Sequence, residues 1–310
     1  MLLALPLLGA LLAAAPAAAA PAAPAAAAAS SPGDTAALKA LVQYDARAPL
    51  RLETVGERVQ GEARVADIRF DASGRVGAPN VVKGFLVRPV KGEGPHAALL
   101  YVHWLGEPPN DRHQFLDEAV RMARHGVVSL LVDAMWAEPE WYGKRKHEED
   151  HARSVRQVIA LRRALDVLHA QPGVDPARVG YVGHDFGAMY GTLLGAVEQG
   201  RLSTLVLLAG TGQFRDWYLY GKKKPADLPA YLAQMAPLDP VRHVGQVGVP
   251  VFFQFATEDR YVPKEKAEEF LGAAREPKSA GFYKAEHSLS TKDGVAERFL
   301  WLKRQLKLGR

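Results

Sequence analysis

Cysteine is absent from the 310 residues, which excludes disulfides, a thiol nucleophile and thiolate metal ligands. Charge is absent before Asp34: an apolar Leu/Ala run from Leu2 to Ala15 leads into an Ala/Pro tract. That pattern predicts a secretory signal peptide and flexible linker over residues 1–30, with small-residue cleavage options near Ala20 or Ala29, although no Lys or Arg stands near Met1. The expectation is export to a periplasm or medium, with no cysteine to carry a lipoprotein anchor. A membrane span of about 20 uninterrupted apolar residues is lacking too, because Pro16, Pro21 and Pro24 break the run. No internal repeat is found.

The net charge of +5 sits in short clusters such as Lys144-Arg145-Lys146 and Lys222-Lys223-Lys224, set against acidic stretches such as Glu148-Glu149-Asp150. Interleaved charge of this kind reads as a solvated surface, so neither nucleic acid nor an acidic membrane is the expected partner. A small molecule is. With 48% hydrophobic residues, the remainder, 31–310, is long enough to bury the core of one α/β domain.

Along that domain, strand and helix patterns alternate. Strands are expected at Ala63 to Phe70, Val81 to Val90, Ala97 to His103, Val127 to Asp133, Val179 to Val182, Leu202 to Leu208, Val249 to Phe255 and Gly281 to Lys284. Helices are expected around Phe115 to Ala123, Ala152 to His169, Lys264 to Ala274 and Gly294 to Leu308. Alternation predicts an α/β fold with a mostly parallel sheet flanked by helices. Residues 213–248 interrupt it with Trp217, Tyr218, Tyr220 and Tyr231, aromatics suited either to a small lid or to packing on the body.

The most informative stretch is Gly183-His184-Asp185-Phe186-Gly187, which turns sharply from a buried strand into a helix. Small residues two before and two after a central side chain permit a strained strand-to-helix turn that presents the central residue as an exposed nucleophile. Here that residue is Asp185. Asp259, just past a strand, and His287, in a loop between the last strand and last helix, follow in the order nucleophile, acid, histidine. Glu258 is the alternative acid. His184 reads as a packing or hydrogen-bonding neighbour of the nucleophile.

His147-Glu148-Glu149-Asp150-His151 matches H-E-x-x-H, but its dense charge and missing third ligand argue against zinc, so no metal or cofactor is expected.

The elbow and the order of Asp259 and His287 resemble the α/β-hydrolase superfamily. Spacing from Pro172 through Val179, the modest excursion and the acid loop are most similar to dienelactone-hydrolase-like members. The resemblance implies a hydrolase of a small ester, lactone or related compound with an Asp185/Asp259/His287 triad. It also implies an oxyanion hole from the His103-Trp104 segment and the N–H of Phe186, with Trp104 either a wall or a donor and Tyr218 a further substrate contact.

Aspartate in place of serine is how epoxide hydrolases and haloalkane dehalogenases present their nucleophile. Carboxylate attack on an sp3 carbon gives a hydrolysable alkyl ester, whereas attack on an ester carbonyl gives a high-energy anhydride. An alkyl-enzyme hydrolase is therefore the second reading, and a catalytically inactive binding protein on this scaffold the third.

Overall fold

The computed structural model describes residues 31–75, 77 and 79–309, so the expected export segment lies outside the described residues. Nine strands form one sheet: β1 (Glu53–Gln60), β2 (Ala63–Asp71), β3 (Val81–Pro89), β4 (His96–Val102), β5 (Val127–Val132), β6 (Val174–His184), β7 (Thr204–Leu208), β8 (Val251–Ala256) and β9 (Lys278–Tyr283). Their spatial order is β1-β2-β3-β5-β4-β6-β7-β8-β9. β1 pairs antiparallel with β2, β2 with β3 and β3 with β5, and every pairing from β5 onward is parallel.

Parallel strands covered by helices on both faces are apolar throughout rather than alternating. β4, β5, β7 and β8 are buried at every position. The helices are α1 (Pro32–Leu41), α2 (Leu116–Ala123), α3 (Trp141–Lys144), α4 (His147–His169), α5 (Phe186–Val197), α6 (Arg215–Tyr218), α7 (Leu228–Met235), α8 (Lys264–Ala273) and α9 (Lys292–Gln305). Among the described residues, no helix is long and apolar enough to cross a membrane.

Chain order reverses at β4, which has β5 on one side and β6 on the other. Open parallel sheets hold their sites at such a switch, outside the carboxyl ends of the strands. The end of β4 carries His103 and the end of β6 carries Asp185, which places their loops side by side.

Glycines make the elbow possible. A Cβ on Gly187 would stand 2.5 Å from the Val102 carbonyl oxygen, and one on Gly191 would collide with the Tyr181 ring. Helix α5 can therefore press against β4 and β6, and it is buried along its whole length. Asp185 itself is held at φ 59°, ψ −118°, a backbone conformation that only a surrounding packed structure sustains in a residue with a Cβ.

The excursion after β7 is clasped to α3 and α4. Tyr142 Oη donates to the Trp217 carbonyl at 2.6 Å, Lys222 Nζ to the Gly143 carbonyl at 3.0 Å, and Tyr231 Oη to Asp150 Oδ2 at 2.8 Å. At the other edge, the buried Arg298 of α9 donates to Glu118 Oε2 at 2.7 Å and to Gln254 Oε1 at 2.6 Å. This joins α9 to α2 and β8, the frame from which the loop after β9 projects.

Candidate active site

Asp185, Asp259 and His287 come from the ends of β6, β8 and β9 and meet at one point. Asp259 Oδ1 accepts the backbone N–H groups of Tyr261 at 2.8 Å and Val262 at 3.0 Å. That leaves Oδ2 to accept from His287 Nδ1 at 2.7 Å. The bond fixes the imidazole ring and directs Nε2 toward Asp185, whose Oδ2 lies 4.0 Å away, too far for a direct hydrogen bond. Glu258 is exposed at the cavity rim and is not the histidine's partner.

The Asp185 carboxylate is held asymmetrically. Its Oδ2 accepts the backbone N–H of Leu105 at 3.0 Å, while Oδ1 is buried without a partner, as is His287 Nε2. Burial raises the pKa of Asp185, opposed by His287 and by the N–H groups of Leu105 and Phe186. Burial also acts to lower that of His287, but the charge of Asp185 and the hydrogen bond and charge of Asp259 outweigh it and lift the imidazole to about 9. At neutral pH the imidazole is therefore protonated, facing an Asp185 carboxyl group whose pKa is raised by burial.

This coupling makes a prediction. Asp185→Asn removes one of the two anions that hold the proton on His287, and a charge at this range is worth about one to three pKa units. The imidazole titration followed by NMR is expected to fall from about 9 by that amount. A midpoint unmoved by the substitution would mean that Asp185 does not sense His287.

Several expected site residues lie elsewhere. Asp185 is not exposed: it is fully buried, behind a histidine whose ring is flanked by Trp217 at 5.2 Å, Tyr261 at 5.1 Å and Trp104 at 6.0 Å between centroids. The donor from the loop after β4 is Leu105, one residue beyond the expected one. Trp104 gives its backbone N–H to Gln114 Oε1 at 2.8 Å and its indole N–H to the Pro109 carbonyl at 3.0 Å, so its ring is a wall.

His103 is also internal. The Ala134 N–H donates to its Nε2 at 3.0 Å, so Nδ1 carries the proton and donates to the Trp104 carbonyl at 2.8 Å. Burial lowers its pKa to about 4, so it stays neutral and shapes the loop. Tyr218 does not reach the cavity. It is buried, with its hydroxyl 2.8 Å from Ser154 Oγ and 2.7 Å from Tyr190 Oη.

One positioning element had no sequence signal. Gln114 Oε1 holds the Trp104 N–H, Gln114 Nε2 donates to His184 Nδ1 at 2.7 Å, and His184 Nε2 donates to the His287 carbonyl at 2.9 Å. This chain of neutral groups ties the loop after β4 to the histidine loop. Gln114 lies in the turn before α2 with no motif around it.

The H-E-x-x-H string is the first turns of α4, where His147 Nε2 donates to the Lys223 carbonyl at 2.8 Å. Among the described residues, no group of three His, Asp or Glu side chains is placed to hold a metal ion.

A cavity of about 530 Å³ opens over His287, walled by Trp104, Tyr142, Phe186, Trp217, Tyr220 and Tyr261. The aromatic excursion thus does both expected jobs: Trp217 and Tyr220 line the cavity, while Tyr218 and Tyr231 pack into the body.

No family model and no curated protein sequence matches the chain. Solved structures do. An acetyl xylan esterase from a Thermoanaerobacterium species superposes with a TM-score of 0.69 at 15% identity, covering 91% of this chain and 96% of that one. A second, from a Paenibacillus species, gives 0.69 at 14% identity, covering 87% and 93%. A Klebsiella pneumoniae protein described as a dienelactone hydrolase gives 0.57 at 13% identity, covering 78% and 98%. At these identities the likeness shows the fold.

Proposed function

From the α/β-hydrolase fold that this chain has, we propose that it is a hydrolase of a small substrate in which Asp185 is the nucleophile, His287 the base and Asp259 the group that orients it. The observation that carries the chemistry is the Leu105 N–H on Asp185 Oδ2. In an ester hydrolase, a donor of this kind receives the substrate's carbonyl oxygen. Here the enzyme's own carboxylate takes it.

That arrangement suits a reaction in which Asp185 becomes the ester. Oδ1 attacks an sp3 carbon, the carbon–leaving-group bond breaks, and the leaving group departs with the bonding pair. Esterification cancels the Asp185 charge and with it part of what keeps His287 protonated. The imidazolium gives its proton to the departing group, and the neutral His287 can then take one from water. The hydroxide oxygen adds to the Asp185 carboxyl carbon, Leu105 stabilises the charge developing on Oδ2, and collapse expels the product oxygen, which takes the proton from His287 and leaves as the alcohol. The base is released when the second step requires it.

Cleavage of an ester by water held on Asp185 is the second reading, supported by the structural likeness to esterases. A screen of nitrophenyl esters, styrene oxide and a bromoalkane identifies a working substrate. A single turnover in heavy-oxygen water is then expected to leave the label in the Asp185 side chain. Label found only in the product of an active enzyme would refute the alkyl-enzyme reading. Failure to turn over any substrate would leave the protein a binding module.

A further inference from the structure

The cavity over His287 combines two features that its catalytic role does not require: an almost continuous aromatic wall and an excess of carboxylates. Trp217 and Tyr261 stand 6.0 Å apart, Tyr220 and Tyr261 5.3 Å, and Phe186 and Trp217 6.1 Å between ring centroids, so the rings form a connected shell. Glu107, Glu258 and Glu286 also line the cavity and make no ion pair among the described residues. Among the described residues Arg260 is the only Lys or Arg in the lining; its guanidinium stacks on Tyr261 at 4.8 Å, bonds that hydroxyl at 2.7 Å and feels the charge of Glu286, so one positive charge stands against three carboxylates. Below them lie Asp185 and Asp259 with a single imidazolium between them.

We propose that this cavity selects cationic substrates, specifically compounds carrying a quaternary or tertiary ammonium group beside the bond that is cleaved. Aromatic faces carry the negative lobe of the ring quadrupole and attract a desolvated cation. The surplus carboxylates add a longer-range field of the same sign. Both disfavour an anion, so a carboxylate-bearing lactone is a poor occupant of this site. A neutral sugar would also stack on these rings, but it would gain nothing from the unpaired Glu107, Glu258 and Glu286 as charges.

The proposal rests on the hydrolase reading for the word substrate, but its test needs no turnover. Choline, its neutral isostere 3,3-dimethylbutanol, the anion 3,3-dimethylbutanoate and methyl xyloside are titrated by calorimetry and by the fluorescence of the full chain. Choline is expected to bind about tenfold more tightly than the neutral isostere, and the anion not at all. Trp217→Ala and the double substitution Glu258→Gln/Glu286→Gln are each expected to weaken choline several-fold. The double substitution alters only exposed rim groups and so leaves the fold unchanged, and its effect is expected to shrink in high salt.

Equal or tighter binding of the neutral isostere, preference for methyl xyloside, or no choline binding at tens of millimolar would each overturn the proposal. Binding of choline by a protein that cleaves neither the neutral substrates of the screen nor esters, epoxides and bromoalkanes bearing a trimethylammonium group would uphold the cation site and reject the hydrolase reading.

Discussion

His287→Gln is expected to stop the protein after one chemical event. In the proposed mechanism the nucleophilic half-reaction belongs to Asp185, whose carboxylate is held by Leu105 and does not require a base. The hydrolytic half does. A positioned general base contributes about a hundredfold to ten-thousandfold, and glutamine supplies none, so turnover should fall by about that factor while the alkyl-enzyme accumulates. Intact-protein mass spectrometry after mixing with a working substrate should show one added alkyl group, and peptide mapping should place it on Asp185. Near-normal turnover would remove His287 from the mechanism. Slow turnover without an adduct would mean that water, not Asp185, is the attacking group.

The pH dependence should carry the same logic. Burial raises the pKa of Asp185, so the nucleophilic step weakens as pH falls through that raised value. His287 works in the opposite direction on stability. Its pKa is lifted to about 9 in the folded protein, so its contribution is fully present below about pH 6.5, the usual value for a free histidine, and is lost as pH rises through about 9.

What could be read from the sequence follows from which physical signals are local. Fully buried strands such as β4, β5 and β8 announce themselves as apolar runs, and the glycines at 183, 187 and 191 mark close packing around the elbow. β1 gave no such signal, because it is an edge strand exposed along nearly its whole length and has no apolar face to betray it. The first turn of α4 carries Glu148, Glu149 and Asp150, which lack an apolar face to mark the helical period, as the run from Ala152 does, but favour the positive end of a helix dipole.

At the site, chain order and strand ends pointed to Asp185, Asp259 and His287, the three side chains the structure brings together. The choice between Trp104 and Leu105 was not legible, since a one-residue offset in a loop is decided by where Gln114 fastens the Trp104 N–H. Nor was the burial of Asp185. Trp217 comes from an excursion 30 residues later, and nothing near the elbow records that its ring will lie over His287.

Asp185→Ser is expected to exchange one chemistry for another. A hydroxyl is smaller than a carboxylate and leaves the Leu105 N–H free, so that with the N–H of Phe186 it can receive the carbonyl oxygen of an ester. Each such donor is worth about a hundredfold to a thousandfold in rate. The substitution also removes the Asp185 charge that helps hold His287 near 9, making the imidazole a base at neutral pH, still oriented by Asp259 at 2.7 Å and able to take the serine proton. Hydrolysis of p-nitrophenyl acetate should therefore rise at least about a hundredfold above wild type, by the contribution of one donor, while activity on any alkyl substrate disappears. The backbone at this position is already strained for any residue with a Cβ, so serine adds no new conformational cost. A folded Asp185→Ser protein with no ester activity, its His287 titration lowered as expected, would show that the Leu105 N–H is aimed at the aspartate alone and cannot serve an acyl substrate. That result would remove the ester reading while leaving the alkyl-enzyme reading in place.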